Sequence, residues 1–477
     1  MGFNWRKPIL QLALNLKERE IARQLYFVRS VARKSADEIR EVQNQRLSAL
    51  LHHAWENTDY YREVLSDCGV VRDGEVDLAN FSKIPVLSKD ILREEGPRLK
   101  SRVLPPGRTE FLNRTGGSTG QPCEYWQDSV YDAGNMADKL FHFEQLGKTF
   151  GEPEMKIWGS DRDLMRDTSG LLVKVRNFVY NRRVENCAML SDERIEEIVD
   201  SINRFRPRVI WGYIDGMFTI SEYVLKRGLQ VHEPAAVFCG GGTFFPIMQE
   251  AIEKAFRCPA INYYGSREMG AVACRCVSGD GMHITSHTHV VEVVDEHDGP
   301  IFDQDGDLVL TSLTNYAMPF IRYKIGDRGC MSSKACSCGQ GFPILTSVAG
   351  RSMESFVTSA GALVSPIFLI TMIGTSLRAG LIKRFQLVQE DFTRLRFKII
   401  PATTDRKELD EVLGTIDTKL RNVMGDECIV EHEFVEDIPR APSGKYMYIV
   451  RDMPDAQASG AASSLTAYGS TAENEGR

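Results

Sequence analysis

Residues 113–122 form a glycine-rich segment, the first part of the chain whose residue types and spacing suit ligand binding or catalysis. It has the sequence Asn-Arg-Thr-Gly-Gly-Ser-Thr-Gly-Gln-Pro. Glycines let backbone N–H groups approach an anion closely, and Ser and Thr hydroxyls can donate to phosphate oxygens. No Lys-Ser or Lys-Thr pair follows the last glycine, so this is not a Walker loop. Taken alone, the segment fits a phosphate-binding loop or an ordinary flexible surface loop.

Four further motifs follow it in order. Residues 264–268 (Tyr-Gly-Ser-Arg-Glu) close a predicted strand, and residues 320–327 end in Tyr-Lys-Ile-Gly-Asp. Residues 350–354 (Gly-Arg-Ser-Met-Glu) open the C-terminal region, and residues 439–445 (Pro-Arg-Ala-Pro-Ser-Gly-Lys) end on a lysine. Each motif alone has a structural explanation, such as a turn aspartate or a solvated lysine. Five motifs in this order are a far more specific signal.

The order and spacing of these motifs resemble the adenylate-forming enzymes, which include acyl-CoA synthetases, non-ribosomal adenylation domains and luciferase. Within that group the chain is most similar to the phenylacetate–CoA ligase branch and its capsule-biosynthesis, CapK-like relatives. Residues 47–54, 59–62 and 84–89 are also similar to that branch. The resemblance covers roughly residues 45–450.

The resemblance implies a role for each motif. The ATP β- and γ-phosphates would be held by Thr115, Gly116, Gly117, Ser118, Thr119 and Gly120. The adenine would be flanked by Gly240, Gly241, Gly242, Tyr264 and Gly265, with Ser266 beside them. Glu268 would hold Mg²⁺, a hard cation that prefers oxygen ligands. Asp327 would accept both ribose hydroxyls next to Arg351, and Lys445 would reach the substrate carboxylate and the α-phosphate.

These residue types suit the implied chemistry, because a carboxylate that attacks a phosphate brings two anions together and cations must neutralise the developing charge. A lysine on a mobile loop can supply that charge in one half-reaction and leave for the next. The chain also departs from the family pattern. Arg267 stands where the family usually has Thr, so it either contacts the α-phosphate or turns outward. Met353 occupies the hinge position that is commonly Asp, and Cys123 and Glu124 replace the usual lysine after the phosphate loop.

A second group of residues suits a metal ion. Cys274 and Cys276 precede His283, and a Cys-Ser-Cys-Gly sequence begins at Cys336. Paired cysteines with a histidine form a usable tetrahedral zinc set, although reduced surface thiols are the alternative. We predict that Cys276, His283, Cys336 and Cys338 bind a structural Zn²⁺, with Cys274 as a substitute ligand.

Length and composition indicate a multidomain globular protein. The chain has 477 residues, 43% of them hydrophobic, and its net charge of −7 argues against nucleic acid as a partner. Eleven cysteines without a visible export signal favour reduced thiols and a cytoplasmic location. The predicted divisions are a basic helical extension (1–45), a large domain with the zinc loops (46–350), a small mobile domain carrying Lys445 (351–452) and a disordered tail (453–477).

Hydrophobic patterns predict the fold class. Short apolar runs at 155–158, 209–211, 236–238 and 261–264 alternate with helical stretches such as 191–205 and 246–256, which predicts an α/β large domain with mixed sheets. Residues 290–295 and 307–313 read as an antiparallel pair with a turn at Asp305-Gly306. Strands at 385–388, 395–400 and 428–434 around a helix at 408–424 predict a small α+β C-terminal domain.

The leading functional hypothesis is ATP-dependent activation of a carboxylic acid as an acyl-adenylate, followed by transfer to coenzyme A. One alternative replaces the thiol with an amine or sugar acceptor, as in polysaccharide biosynthesis. Another is a zinc-stabilised membrane-surface module without catalysis. The helix with Arg19, Arg23, Leu25 and Val28 could contact an anionic membrane, pack on the main domain or support a homodimer.

Overall fold

The computed structural model describes residues 4–16, 19–114, 123–158, 170–187, 190–351, 356–359, 363–364, 369, 372–373, 381–403, 406–439 and 447–453. They divide into two compact units: residues 4–349, and residues 350–439 with 447–453. Within the described residues, no helix is both long and apolar enough to cross a bilayer.

The first unit begins with helices, as predicted for the basic extension (1–45). These are α1 (Arg6–Leu16), α2 (Arg19–Val31), α3 (Ala36–Asn57) and α4 (Asp59–Asp67). A capping box begins α3, where the Glu38 N–H donates to Ser35 Oγ and the Ser35 N–H donates to the Glu38 carboxylate.

Short elements then lead to the helix that supports the site. They are β1 (Val71–Arg72), β2 (Glu75–Val76), a 3-10 helix (Leu78–Lys83), α5 (Lys89–Glu94), α6 (Gly96–Leu99), β3 (Glu110–Arg114), β4 (Glu124–Asp128) and α7 (Ser129–Gln145). Asp128 begins α7 by accepting hydrogen bonds from the N–H groups of Val130 and Tyr131 at 2.9 and 3.0 Å.

Helix α2 packs on α7 with its apolar face. Leu25 and Val28 are buried against Ala137, Leu140 and Phe141 of α7. The apolar face of α2 is therefore covered by α7, so this helix packs on the main domain and does not offer that face to a membrane.

An eleven-stranded sheet forms the centre of the first unit among the described residues, in the order β12-β13-β14-β15-β11-β10-β9-β8-β7-β5-β6. One half is parallel: β5 (Glu154–Trp158), β6 (Arg182–Asn186), β7 (Val209–Tyr213), β8 (Ala236–Gly240) and β9 (Ala260–Ser266). The helices along this half are α8 (Leu171–Val179), α9 (Asp192–Phe205), α10 (Ile214–Arg227) and α11 (Pro246–Phe256). The buried residues of α9, at 195, 198, 199 and 202, follow the helical repeat that predicted it.

The other half of the sheet is antiparallel where its register is defined. It contains β10 (Gly270–Arg275), β11 (Met282–Ile284), β12 (His289–Val294), β13 (Asp305–Ser312), β14 (Tyr323–Met331) and β15 (Ile344–Arg351). The predicted pairing of residues 290–295 with 307–313 is confirmed, but the predicted turn at Asp305-Gly306 is wrong because both residues lie in β13. The chain instead turns around Asp295, whose carboxylate accepts the N–H groups of His297 and Gly299 at 2.9 Å each.

The second unit has the predicted α+β pattern. Its four-stranded sheet has the order β20-β19-β18-β21, formed by β18 (Ile382–Gln389), β19 (Arg394–Pro401), β20 (Ile429–Phe434) and β21 (Ile449–Arg451). A small pair, β16 (Phe356–Val357) and β17 (Leu363–Val364), precedes it. Helix α12 (Arg406–Met424) buries an apolar face at Leu409, Val412, Leu413, Ile416 and Leu420.

Candidate functional site

The turn between β9 and β10 is the first part of the site, and close backbone packing fixes it. A Cβ atom on Gly265 would lie 2.1 Å from the carbonyl oxygen of Gly270, so only glycine fits there. Ser266 Oγ accepts the N–H of Met269 at 3.0 Å, which closes the turn. The backbone at Arg267 and Glu268, which follow the strand, is therefore fixed.

Side chains of β4 and α7 hold this turn from one side. Gln127 Nε2 donates to the carbonyl oxygens of Arg267 and Glu268 at 2.8 and 3.2 Å. The Tyr131 hydroxyl lies 3.2 Å from the same two oxygens, and Asn135 Oδ1 accepts the N–H of Ala271 at 3.1 Å. Sequence reasoning missed these residues, although Tyr131 and Asn135 share one face of the helix that follows the glycine-rich segment.

The Glu268 side chain is mostly buried, and none of the described residues donates a hydrogen bond to its carboxylate. It lies near Cys123, whose thiol has a pKa raised by burial and raised further by the Glu268 charge. Buried carboxylates normally have hydrogen-bonding or metal partners. Glu268 is therefore suited to hold a hard cation such as Mg²⁺.

Tyr264 and Asp327 meet from distant parts of the sheet. The Tyr264 hydroxyl donates to Asp327 Oδ2 at 2.9 Å. Three strands separate β9 from β14 in the sheet order, a distance of about 19 Å in a flat sheet with strands about 4.8 Å apart. Two side chains cannot span that distance, so the sheet must curve to bring them together. The result is a carboxylate beside an aromatic ring at the end of β9.

The glycines after β8 lie against an aromatic surface. Gly241 has a φ of +85°, and a Cβ there would lie 2.3 Å from the Tyr213 ring. Gly242 follows, packed close to Ile214. The Tyr213 ring packs against Trp158 with centroids 4.2 Å apart and an interplanar angle of 39°. A backbone without side chains beside two packed aromatic rings is a surface that a flat heterocycle can approach.

Two predicted parts of the site lie outside the described residues: the phosphate loop, Thr115–Gly120, and Lys445. The strands that flank the loop are described, and they pair antiparallel with Arg114 opposite Glu124. Because β4 also carries Gln127, the same hairpin supports the Glu268 turn. Arg351 is the last residue of β15.

The structure brings the four predicted metal ligands together. The ligand atoms of Cys276, His283, Cys336 and Cys338 all lie within 4.8 Å of one another. His283 Nε2 is 3.2 Å from Cys338 Sγ, and Cys336 Sγ is 3.7 Å from Cys276 Sγ. A tetrahedral ion with Zn–S bonds of about 2.3 Å places its sulfurs about 3.8 Å apart, so the observed spacing fits zinc.

The surroundings of the cluster also suit a metal. Burial lowers the pKa of His283, which favours the neutral ring, and its Nδ1 lies 3.3 Å from the Phe342 carbonyl oxygen, leaving Nε2 for an ion. Burial opposes ionisation of Cys276, but the hydrogen bonds of Ser278, Cys336 and Cys338 together outweigh it and lower the pKa of that thiol. Cys274 is outside this group of four, and burial raises the pKa of its thiol.

Comparison with known proteins gives relatives in sequence and in structure. Residues 356–452 match the family model described as CapK C-terminal domain. Protein CapK of Staphylococcus aureus is 24% identical over 88% of this chain and 91% of its own length. Phenylacetate-coenzyme A ligase of Escherichia coli is 28% identical over 61% of this chain and 67% of its own. A solved 2-hydroxyisobutyryl-CoA ligase, in the postadenylation state, shares the fold with a TM-score of 0.69, 17% identity, and coverage of 91% of this chain and 94% of that one.

These relatives confirm the resemblance to the phenylacetate–CoA ligase and CapK branch. The fold is that of the adenylate-forming enzymes, with a large α/β unit and a small C-terminal unit. Four of the sequence relatives are named phenylacetate-coenzyme A ligase, in agreement with the expected class of enzyme, an adenylate-forming ligase.

The packing of the β9–β10 turn predicts a stability difference between two glycine-to-alanine variants. Gly265→Ala should lower the free energy of unfolding by about 2 kcal/mol, because overpacking forces the backbone apart. Gly96→Ala is the control, since a Cβ there meets nothing within 4 Å. Thermal unfolding of both variants measures the effect. Equal midpoints for Gly265→Ala and the unaltered protein would show that the turn is not constrained in this way.

Proposed function

We propose that the protein uses ATP to convert a carboxylic acid to an acyl-adenylate and then transfers the acyl group to coenzyme A. The observation that carries the proposal is the hydrogen bond between Tyr264 and Asp327 at the end of β9, with the buried Glu268 in the turn that follows this strand. The ligase names of the sequence relatives support the same chemistry.

In this proposal the nucleotide lies along the end of β9. Asp327, oriented by Tyr264, accepts the ribose hydroxyls, and the adenine lies against Gly241, Gly242 and Gly265. Glu268 holds Mg²⁺ near the phosphates. The segment Thr115–Gly120 binds the β- and γ-phosphates, and Ser266, Arg267 and Arg351 complete the nucleotide-binding residues.

The reaction has two steps that balance. A carboxylate oxygen of the acid attacks the α-phosphorus, the bond from that phosphorus to the bridging oxygen breaks, and pyrophosphate leaves. The CoA thiolate then attacks the acyl carbonyl carbon, and AMP leaves. Lys445 neutralises charge on the carboxylate and α-phosphate in the first step, when electrostatic stabilisation lowers the barrier most.

An amine or sugar acceptor is the second candidate. The resemblance to capsule-biosynthesis relatives allows it, and the chain matches that branch through residues 356–452 and through CapK over most of its length. The acceptor can be identified by incubating the protein with ATP, a panel of carboxylic acids and either CoA or an amino sugar. Mass spectrometry of the products then distinguishes a thioester from an amide or ester. Formation of neither product with any acid would contradict both candidates.

A variant of Lys445 tests whether this residue acts in the first step alone. Lys445→Ala should slow acyl-adenylate formation by roughly two to three decades, because one cation facing two anions is lost. Supplied with prepared acyl-adenylate, the variant should make thioester at close to the normal rate. Lys383→Ala, an exposed lysine on β18, is the control and should leave both rates unchanged. An equal loss in both steps would mean that Lys445 does not act in the first step alone.

We propose further that Cys276, His283, Cys336 and Cys338 bind one structural zinc ion. The spacing of the four ligand atoms supports this, and a four-ligand site leaves no open position for catalysis.

Zinc binding can be tested at Cys338, which is the exposed member of the four. Cys338→Ser should lower the zinc content and the melting temperature, because an incomplete site binds the metal far less tightly. After removal of metal by a chelator, the variant and the unaltered protein should melt at the same temperature, since an exposed side chain contributes little by itself. Cys68→Ser changes a cysteine outside this group of four, so it is the control and should keep its zinc. Purified protein without zinc, or melting unaffected by chelation, would contradict the proposal.

A further inference from the structure

Helix α1 leaves one apolar stripe exposed. Trp5, the residue before the helix, and Ile9 and Leu12 within it have 41%, 47% and 59% of their surfaces accessible, and their spacing of four and three residues places them on one side. Leu10, on another face of the same helix, is 1% exposed. The helix is therefore anchored by Leu10 while its apolar stripe faces outward.

Helix α8 repeats this arrangement. Leu171, Val175 and Phe178 are 77%, 52% and 62% exposed, again with a spacing of four and three residues. Single exposed apolar residues are ordinary on protein surfaces, but two helices with matching exposed stripes are not.

The two stripes form one surface. The Trp5 and Phe178 rings have centroids 6.4 Å apart. The Arg6 guanidinium lies 4.5 and 5.1 Å from the centroids of these two rings, and its Nε donates to the Phe178 carbonyl oxygen at 3.3 Å. The α1/α8 surface is defined by Trp5, Ile9, Leu12, Leu171, Val175 and Phe178.

The charged residues of the two helices have one sign. Helix α1 contributes Arg6 and Lys7, helix α8 contributes Lys174 and Arg176, and neither helix contains an Asp or Glu. Apart from Arg6, which packs between the two rings, these cations are exposed. Helices with apolar residues on one face, cations on their other faces and no acidic residue of their own are typical of helices that lie in the interface of an anionic membrane.

The charge of the two helices also favours a lipid surface over a second copy of this chain as the partner. Two copies of this chain meeting through the same surface would bring the Arg and Lys side chains of both helices together without a carboxylate from either helix to pair with them. We propose that the α1/α8 surface docks on anionic lipid headgroups, with its six apolar side chains entering the interfacial layer. The α2 face is not part of this contact, because α7 covers it.

Vesicle co-sedimentation of the full chain tests this inference. The unaltered protein should bind vesicles of phosphatidylcholine with 30% phosphatidylglycerol, bind pure phosphatidylcholine at least tenfold less tightly, and be released by salt, since the attraction is partly electrostatic. Leu171→Gln/Val175→Gln should lower binding to the anionic vesicles at least tenfold. Lys7→Glu/Lys174→Glu should do the same without removing an apolar residue.

The matched control is Leu225→Gln/Ile247→Gln, which changes two exposed apolar residues on α10 and α11. This variant should bind vesicles like the unaltered protein. Circular dichroism checks that all variants are folded. Absence of binding to anionic vesicles, or equal binding by the α8 variant and the control, would overturn the inference. Sedimentation that shows a dimer lost only in the α8 variant, without lipid binding, would overturn it in favour of self-association.

Discussion

The hydrogen bond between Tyr264 and Asp327 depends on a curved sheet, and the rest of the candidate site depends on that curvature. In a flat sheet the two residues would lie about 19 Å apart, whereas their oxygens are 2.9 Å apart. The curvature occurs beyond β9, where parallel pairing with β8 changes to antiparallel pairing with β10. Ligands bind preferentially where a sheet changes its topology, because loops diverge there and leave a crevice.

The turn that carries Glu268 is held by hydrogen bonds to its backbone, and the Glu268 carboxylate accepts none from the described residues. Gln127 and Tyr131 bind the carbonyl oxygens of Arg267 and Glu268, so the backbone of the turn is held without using the carboxylate. The backbone at Gly265 packs closely against Gly270, which restricts movement of the turn. A fixed backbone whose carboxylate accepts no hydrogen bond from the described residues is preorganised for a cation, and preorganisation is what electrostatic catalysis requires.

Local features of the fold could be predicted from the sequence because they depend on short-range periodicity. The helix at Pro246–Phe256 and four of the five parallel strands, β5, β7, β8 and β9, were located by their apolar runs, whereas β6 was not predicted. Long-range features could not be found in this way. The Asp305-Gly306 pair carries a turn signal but lies inside β13, and nothing local links Gln127 to a turn 140 residues away. The proposed roles of Thr115–Gly120, Arg351 and Lys445 rest on the resemblance alone. Those of Tyr264 and Asp327 are also supported by the hydrogen bond between the two side chains.

The central claim is that the end of β9 binds the nucleotide on which a carboxylic acid is activated. The most direct measurement is exchange of labelled pyrophosphate into ATP as a function of ATP concentration, for the unaltered protein and for Asp327→Ala. Our account predicts exchange that requires a carboxylic acid, and at least a tenfold higher KM for ATP in the variant, because the ribose loses its acceptor. Exchange that does not depend on an acid, or an unchanged KM in Asp327→Ala, would contradict it.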